Sequence, residues 1–535
     1  MTVAAVAPAR PRAAVNPWVV AAVVVVPTFM EVLDTTIALV ALRYIAGGLS
    51  ATSDDGEWVI TSYLAANAFI LPITGWLSAH LGRRNYFLMS IAVFTLSSLL
   101  CGLAGSLGQL ILFRVVQGLA GGGLQPSSQG ILLDAFPVEK QGTAMTLFGF
   151  AVLIAPIVGP TLGGWITDTY SWRWVFLINV PVGILALGGC YLLLRDPDHL
   201  VAQRAELRKQ PFHFDGIGLS LLALVAICWE VMLSKGQEWD WLGDPFWRIQ
   251  TLAILAAVGL VALVIWELRH RNPVINFRPL RERNFASCCV IIFCAYLALF
   301  AATKSLLGLL QALFGYDALS TGLVMSPSGI FAVIAMPIVG RLIGLKIDAR
   351  WLIAAGLLLM TAGNYWMSQF NLDVSPGQAV WPRVVLVAGL AVCFAPANVA
   401  AYLYVPVELR GAAVGLLSLL RNEGGSVGVS LSQTFQERRD QFHTLRLNEY
   451  LDPFNTAVTS FVGRARGVFL QQSADSAAAQ QFGWQQLGTL RDQQASSLAY
   501  FDCFWMVAVL TLVVALFVLL MKRSVAAKGG PAASE

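Results

Sequence analysis

Leu71-Pro72-Ile73-Thr74-Gly75-Trp76-Leu77, leading into Gly82-Arg83-Arg84, returns 265 residues later as Met336-Pro337-Ile338-Val339-Gly340-Arg341-Leu342, leading into Lys346 and Arg350. Two further echoes follow at a spacing of 269: Arg114-Val115-Val116 with Arg383-Val384-Val385, and Pro137-Val138-Glu139-Lys140-Gln141-Gly142 with Pro406-Val407-Glu408-Leu409-Arg410-Gly411. Three echoes in one order at nearly one spacing describe a doubled unit. Its surroundings are apolar, and membrane transporters are commonly built by such doubling.

Fourteen apolar segments are long enough to cross ~30 Å of hydrocarbon. They lie near 17–43, 57–79, 86–105, 109–132, 143–166, 174–194, 216–234, 248–268, 286–310, 320–343, 351–370, 381–404, 412–434 and 499–521. Charged residues make up only 12% of the chain, about half the share of a soluble protein. The echoes align segments 1–6 with 9–14, so 7 and 8 form an extra hairpin. The expected fold is therefore an all-α membrane protein of 6 + 2 + 6 helices in two pseudo-symmetric halves. Its parts are a tail at 1–16, a bundle at 17–195, a linker with two helices at 196–285, and a bundle at 286–535. The last includes a polar stretch at 436–498 and a tail at 522–535.

Basic residues set the orientation. One set of connections carries Arg83, Arg84, Lys140, Arg195, Arg204, Arg269, Arg283, Arg350, Arg410, Lys522 and Arg523; the alternate set carries Asp54, Asp55 and Glu57, an uncharged turn at 105–109, Asp168 with Arg173, and Lys235 among Glu238, Asp240 and Asp244. The basic set is expected in the cytoplasm, with both termini. The 436–498 stretch then lies outside, and its mixed charges and scattered apolar residues fit one or two amphipathic helices or a solvated loop. The eight cysteines have no metal spacing, so neither a disulfide framework nor a zinc site is expected.

Charges inside hydrocarbon are expensive and mark function. Glu31 and Asp34 stand at i, i+3 on one face of segment 1. Two close, partly desolvated carboxylates do not both ionise readily, which suits a proton carrier. Arg114, Gln117, Gly121 and Gln125 form a polar stripe on segment 4. Arg114 lies ~8 Å and Asp34 ~13 Å below the outer helix ends at 1.5 Å per residue, within reach of an arginine side chain. Arg114 either tunes the carboxylates or snorkels to the interface. In segment 5, Gly159, Gly163 and Gly164 thin one face for close packing. Pro156 and Pro160 bend the helix, as a rocking element requires. Asn67, Gln117, Gln125, Asn398 and Arg421 are candidate cavity residues. Glu230 and Lys304 read as snorkelling groups at helix ends.

Several of these stretches resemble the major facilitator superfamily, in particular its fourteen-helix drug:proton antiporters of the EmrB/QacA type. The resemblance spans nearly the whole chain. It rests on Leu33-Asp34-Thr35-Thr36-Ile37, Arg114 with Gln117-Gly118, Ala155-Pro156 through Gly163-Gly164, Trp172-Arg173-Trp174, and Asn179 with Pro181. The 436–498 stretch, with Asn448 through Asn455, is similar to the EmrB type. The resemblance implies a proton-coupled exporter working with a periplasmic adaptor and an outer-membrane channel. The loop motif around Gly75, Gly82, Arg83 and Arg84 departs from the family, since Ala79 and His80 replace its Asp and Arg. Any cytoplasmic latch must then rely on helix packing and the two arginines. Leu39 and Arg43 replace the family's Asn and Pro in segment 1.

No phosphate-binding loop of the Gly-x-x-x-x-Gly-Lys-Ser/Thr type occurs, and no hydrolytic constellation. The expected protein is thus neither an enzyme nor ATP-driven, and uses no cofactor. Its energy source is the proton gradient, ~2.3 kcal/mol per charge per 100 mV. The leading expectation is export of hydrophobic or amphipathic compounds across a bacterial inner membrane, with no nucleic-acid partner. The alternatives are a dedicated exporter of one metabolite (a fatty acid, siderophore or antibiotic), a proton-symport importer, and a non-transporting receptor.

Overall fold

The computed structural model describes residues 16–137, 141–196, 204, 215–270, 273–345, 347–406, 409–452, 454–471 and 476–524. The expected tail at 1–16 (all but residue 16), most of the linker's polar part, Lys140, Lys346, Pro453 and the end of the C-terminal tail lie outside the described residues. Fourteen long helical segments run among the described residues. They are α1 (Pro17–Gly48), α2 (Trp58–Leu81), α3 (Arg83–Leu103), α4 (Leu107–Ala135), α5 (Gln141–Thr169), α6 (Trp174–Leu193) and α7 (Gly216–Lys235). There follow α8 (Arg248–Arg269), α9 (Arg283–Leu313), α10 (Ser320–Ile343), α11 (Ala349–Ser368), α12 (Pro376–Tyr402), α13 (Arg410–Asn448) and α14 (Ser476–Phe517).

Eleven of these are long and apolar enough to cross a bilayer, and α5 is a twelfth if its two arms count as one span. Those arms meet at 45° between Pro156 and Val158, where proline removes backbone donors. The other two, α11 and α13, fall short of that apolarity. In α13 the cause is visible: Arg421, Asn422 and Glu423 interrupt its apolar run, and the helix does not stop near residue 434 but continues through Arg438, Arg439 and Asp440 to Asn448. Likewise α14 begins at Ser476, well before the expected 499. Much of the 436–498 stretch is therefore the projecting ends of two long helices, with the short helix Thr456–Leu470 packed on α14.

Local sequence explains where helices begin. Asn16 accepts a hydrogen bond from the Trp18 backbone N–H ahead of Pro17, an asparagine cap with proline in the first turn. Asp215 caps α7 through the Gly218 N–H at 2.8 Å. Ser375 and Gln378 form a reciprocal capping box at α12. Gly82 takes φ +91° between α2 and α3, a turn that glycine adopts without steric cost.

The packing repeats. In the first half α1 packs on α4, α5 and α6, α2 on α4, and α3 on α4 and α6; in the second, α9 packs on α12, α13 and α14, α10 on α12, and α11 on α12 and α14. Each pairing has its counterpart eight helices later. The seam follows the same symmetry, with α2 against α13 and α10 against α5. Lipid offers helices no hydrophobic reason to associate, so close backbone approach must do so. A Cβ on Gly389 of α12 would lie 2.6 Å from the Gly356 carbonyl oxygen of α11. Outward faces are apolar, as at Ile184, Leu185 and Leu192, which are 60%, 77% and 76% exposed.

The inserted hairpin has a definite seat. α7 packs on α2 and α13, one helix from each half. The Ser430 hydroxyl donates to the Leu233 carbonyl at 2.7 Å, Trp229 Nε1 donates to Glu423 Oε2 at 2.7 Å, and Thr61 bonds Ser234. The hairpin thus covers the seam on one side.

Candidate functional site

Two polar networks stand back to back in the first half. Asp34 is fully buried, and so is Arg114, whose Nη1 lies 2.6 Å from Asp34 Oδ2. Gln117 Nε2 and Asn179 Nδ2 donate to Asp34 Oδ1 at 3.1 and 2.7 Å. Arg114 also donates to the Val59 carbonyl at 3.1 Å and to Gln117 Oε1 at 2.9 Å. A buried charge pair needs such extra bonds to offset its desolvation.

Glu31 belongs to the second network. Its Oε1 accepts from the Tyr63 hydroxyl at 3.1 Å and Asn67 Nδ2 at 3.3 Å, and its Oε2 from Gln125 Nε2 at 2.5 Å. All three donors are neutral. Tyr63 joins the networks, with its hydroxyl on Glu31 and its ring centroid 4.2 Å from the Arg114 guanidinium. The one shared carboxylate site expected from the i, i+3 spacing is therefore two sites. Adjacent faces of α1 meet different neighbours, and Tyr63 fills the space between.

Glu31 lines a cavity of about 190 Å³ and Asp34 does not. Both halves supply its wall, through Asn67, Gln125 and Pro156 from the first and Tyr296, Phe300 and Arg421 from the second. It reaches toward Glu57 at the start of α2, Lys304 on α9 and Gln433 on α13, on the side of the acidic connections. Arg421 bonds Gln125 Oε1 directly, so one amide links Glu31 on α1 to Arg421 on α13. Asn422 Nδ2 donates to Asn67 Oδ1 at 3.0 Å across the same seam. Two expected cavity residues lie elsewhere. Gln117 is spent on Asp34, and Asn398 accepts from Gln129 Nε2 at 3.2 Å, a contact between α4 and α12.

Glu230 is not a snorkelling group at a helix end. It is 3% exposed and lines the cavity, hydrogen-bonded to Ser426 and Glu423. The seat of α7 between the halves turns it inward, which its position five residues from the helix end did not reveal. Asn179, Tyr63 and Tyr296 also matter more than the sequence suggested. The sequence signals available were modest: Tyr63 precedes Asn67 by one helical turn, and Asn179 belongs to the Asn-x-Pro motif.

Toward the basic connections a second cavity, of about 520 Å³, is lined by Gly75, Gly82, Arg83, Asp134, Asp196 and Arg410 among others. It shares no lining residue with the first. Arg83 pairs with Asp134 and donates to the Gly130 carbonyl at 3.0 Å. Arg84 donates through its backbone N–H to Asp196 at 2.8 Å and through its side chain to the Leu194 and Tyr191 carbonyls, each at 2.8 Å. The two arginines therefore have acidic partners, from the ends of α4 and α6 rather than from positions 79 and 80. A Cβ on Gly75 would lie 3.2 Å from the Gly411 carbonyl oxygen, so the halves nearly touch there. On the bent α5, a Cβ on Gly159 or Gly163 would meet Thr36 at 2.1 Å or Ile37 at 3.0 Å on α1. Pro160 and Gly164 are buried in the same stretch.

Two six-helix halves around a shared, polar-floored cavity define a membrane carrier. Residues 25–429 match the Major Facilitator Superfamily model. The chain is 35% identical over 505 residues to the multidrug export protein EmrB of Escherichia coli (strain K12), covering 94% of this chain and 95% of that one. It is 36% identical over 431 residues to the fatty acid resistance protein FarB of Neisseria gonorrhoeae, covering 80% and 83%. In fold it is similar to the human organic anion transporter MFSD10, with a TM-score of 0.57 at 15% identity, covering 94% and 100%. The chain belongs to the major facilitator superfamily and is a multi-pass membrane transporter.

Proposed function

We propose that this protein is a proton-driven antiporter that exports hydrophobic or amphipathic compounds across a bacterial inner membrane, with both termini in the cytoplasm. The observation that carries the reading is Glu31: a titratable carboxylate on the wall of a cavity shared by both halves, held only by neutral donors. Such a group gains or loses a proton without breaking a direct ion pair, since Arg421 reaches it only through Gln125. Asp34 and Arg114 act beside it as a fixed pair, reaching Glu31 through Tyr63. The cavity reaches toward the acidic connections, which the excess of basic residues elsewhere assigns to the outside. The relatives named for multidrug export support efflux as the direction.

The proton gradient supplies the energy, with no cofactor. The projecting ends of α13 and α14 and the helix Thr456–Leu470 offer a docking surface for a periplasmic adaptor, which would connect the permease to an outer-membrane channel. Similarity to FarB supports a second reading, a dedicated exporter of one amphipathic metabolite; a substrate panel in a pump-deficient host separates the two. The central test is proton release from purified protein in weakly buffered solution on addition of substrate. Protons should appear in proportion to substrate bound, and saturating binding without proton release would overturn antiport.

A further inference from the structure

The cavity holds two groups that proton chemistry at Glu31 leaves unused. Tyr296 is 4% exposed and lines the cavity, yet its hydroxyl has no hydrogen-bond partner among the described residues. A buried tyrosine hydroxyl ordinarily finds a partner. Its ring is fixed by Phe300 and Phe394, at centroid distances of 6.4 and 6.1 Å. Beside it the Arg421 guanidinium lies 5.9 Å from the Tyr296 ring centroid and 5.8 Å from that of Phe148. The contact to Gln125 is the one side-chain hydrogen bond Arg421 makes among the described residues, although a guanidinium has five N–H donors.

Two donors on one wall call for an acceptor. The cavity's carboxylates are already engaged: both Glu31 oxygens accept from Tyr63, Asn67 and Gln125, Glu230 bonds Ser426 and Glu423, and Glu57 pairs with Lys235. The remaining lining near this floor includes Val152, Pro156, Leu64 and Phe300, suited to an alkyl or aryl tail. We propose that Tyr296 and Arg421 form a head-group clamp for an amphiphile carrying a carbonyl or carboxylate oxygen. The clamp rests on the reading of this cavity as the export site. An oxygen that takes the free N–H groups of Arg421 sits beside its contact to the Gln125 carbonyl, and the same Gln125 amide holds Glu31. Head-group binding therefore reaches the proton-carrying carboxylate through one side chain.

Three probes with the same ten-carbon tail test this: decanoate, methyl decanoate and decyltrimethylammonium. Binding to purified protein in nanodiscs is measured calorimetrically, with empty nanodiscs as blank, and export is followed in proteoliposomes. Tyr296→Phe should weaken decanoate about 10-fold, the worth of one hydrogen bond to a charged group. It should change decyltrimethylammonium by less than about 2-fold. Arg421→Lys, which keeps the charge and loses the planar fork, should weaken decanoate by a similar factor. Loss for decanoate alone assigns the clamp to anions, and loss for the ester as well assigns it to carbonyl oxygens. If wild-type protein binds and exports the probes but both variants treat all three alike, the clamp falls and the export reading stands. If wild-type protein binds none of them, both fall.

Discussion

Replacing each of the two first-helix carboxylates by its amide separates a structural role from a proton-carrying one. Asp34→Asn removes the only carboxylate paired with Arg114 among the described residues, at a site where both side chains are 0% exposed. Breaking a buried pair in this way costs about 3–5 kcal/mol, because the remaining charge is left uncompensated. Arg114 keeps the Val59 carbonyl, Gln117 and the Tyr63 ring, so the lower end, about 3 kcal/mol, is expected. That is more than a hundredfold in the folded-to-unfolded ratio at about 1.4 kcal/mol per tenfold. Glu31→Gln is different. The new side chain still presents an oxygen to Tyr63 and Asn67, and loses only the acceptor facing Gln125, about 1 kcal/mol. Unfolding free energy by denaturant titration in detergent, paired with transport driven by an imposed pH gradient in proteoliposomes, reads both quantities. Glu31→Gln should stay within about 1 kcal/mol of wild type and lose gradient-driven transport while still binding substrate. If Glu31→Gln transports normally, or if Asp34→Asn is as stable as wild type, the assignment of the two roles is wrong.

Gln129→Ala removes the contacts to Asn398 and Tyr402 that join α4 to α12. It should favour the state open at the basic end, seen as a longer spin-label distance between the α2 and α13 ends near Gly75 and Gly411. Deleting residues 445–490 should abolish whole-cell resistance and spare proteoliposome transport if the helical projection docks an adaptor; unchanged resistance would remove that role. At the α7–α8 tip, Asp244 is held at about 2 chiefly by the Arg248 side chain, with the backbone N–H groups of Phe246, Arg248 and Ile249 adding to it. A depressed carboxylate stabilises the fold fully above its ordinary value of 3.8 and loses that contribution as pH falls through the folded value. Exchange protection of the amides at 246–249 should therefore hold down to about pH 4 and fail toward pH 2.

The order of helices, the proline bend and the approach of Arg114 to Asp34 were all legible in the sequence. Each follows from a local quantity: run length, a proline, or depth counted at 1.5 Å per residue. What stayed hidden depended on contacts between distant segments. Arg83 finds Asp134 at a separation of 51 residues, and Arg421 finds Gln125 at 296. No periodicity announces either. Nor does i, i+3 spacing say that a tyrosine from α2 stands between two carboxylates. The extent of α13 and α14 was missed for a related reason. Polar residues ended the apolar runs, but the backbone continued as helix because the two projections pack on each other, joined by Arg439 and His443 on Asp502 at 2.6 and 2.7 Å.

The doubled unit repeats its packing but not its charges, and the difference is sharpest at the repeated arginine. Arg114 on α4 and Arg383 on α12 occupy equivalent places and are 0% and 1% exposed. Arg114 faces Asp34, whereas Arg383 has no ion pair or hydrogen bond among the described residues, and its Nε and Nη1 are buried without a partner. The α9 stretch from Ala298 to Ala302 that matches the Glu31–Asp34 turn contains no acid. The second half instead places its charges on α13, at Arg421 and Glu423, facing the seam and the inserted α7. A symmetric pair of carboxylates would put two equal proton sites on opposite walls. The observed arrangement puts Glu31 on one wall and the Arg421 guanidinium on the other, bridged by Gln125, so that any rocking of the halves about their seam would act on that bridge directly.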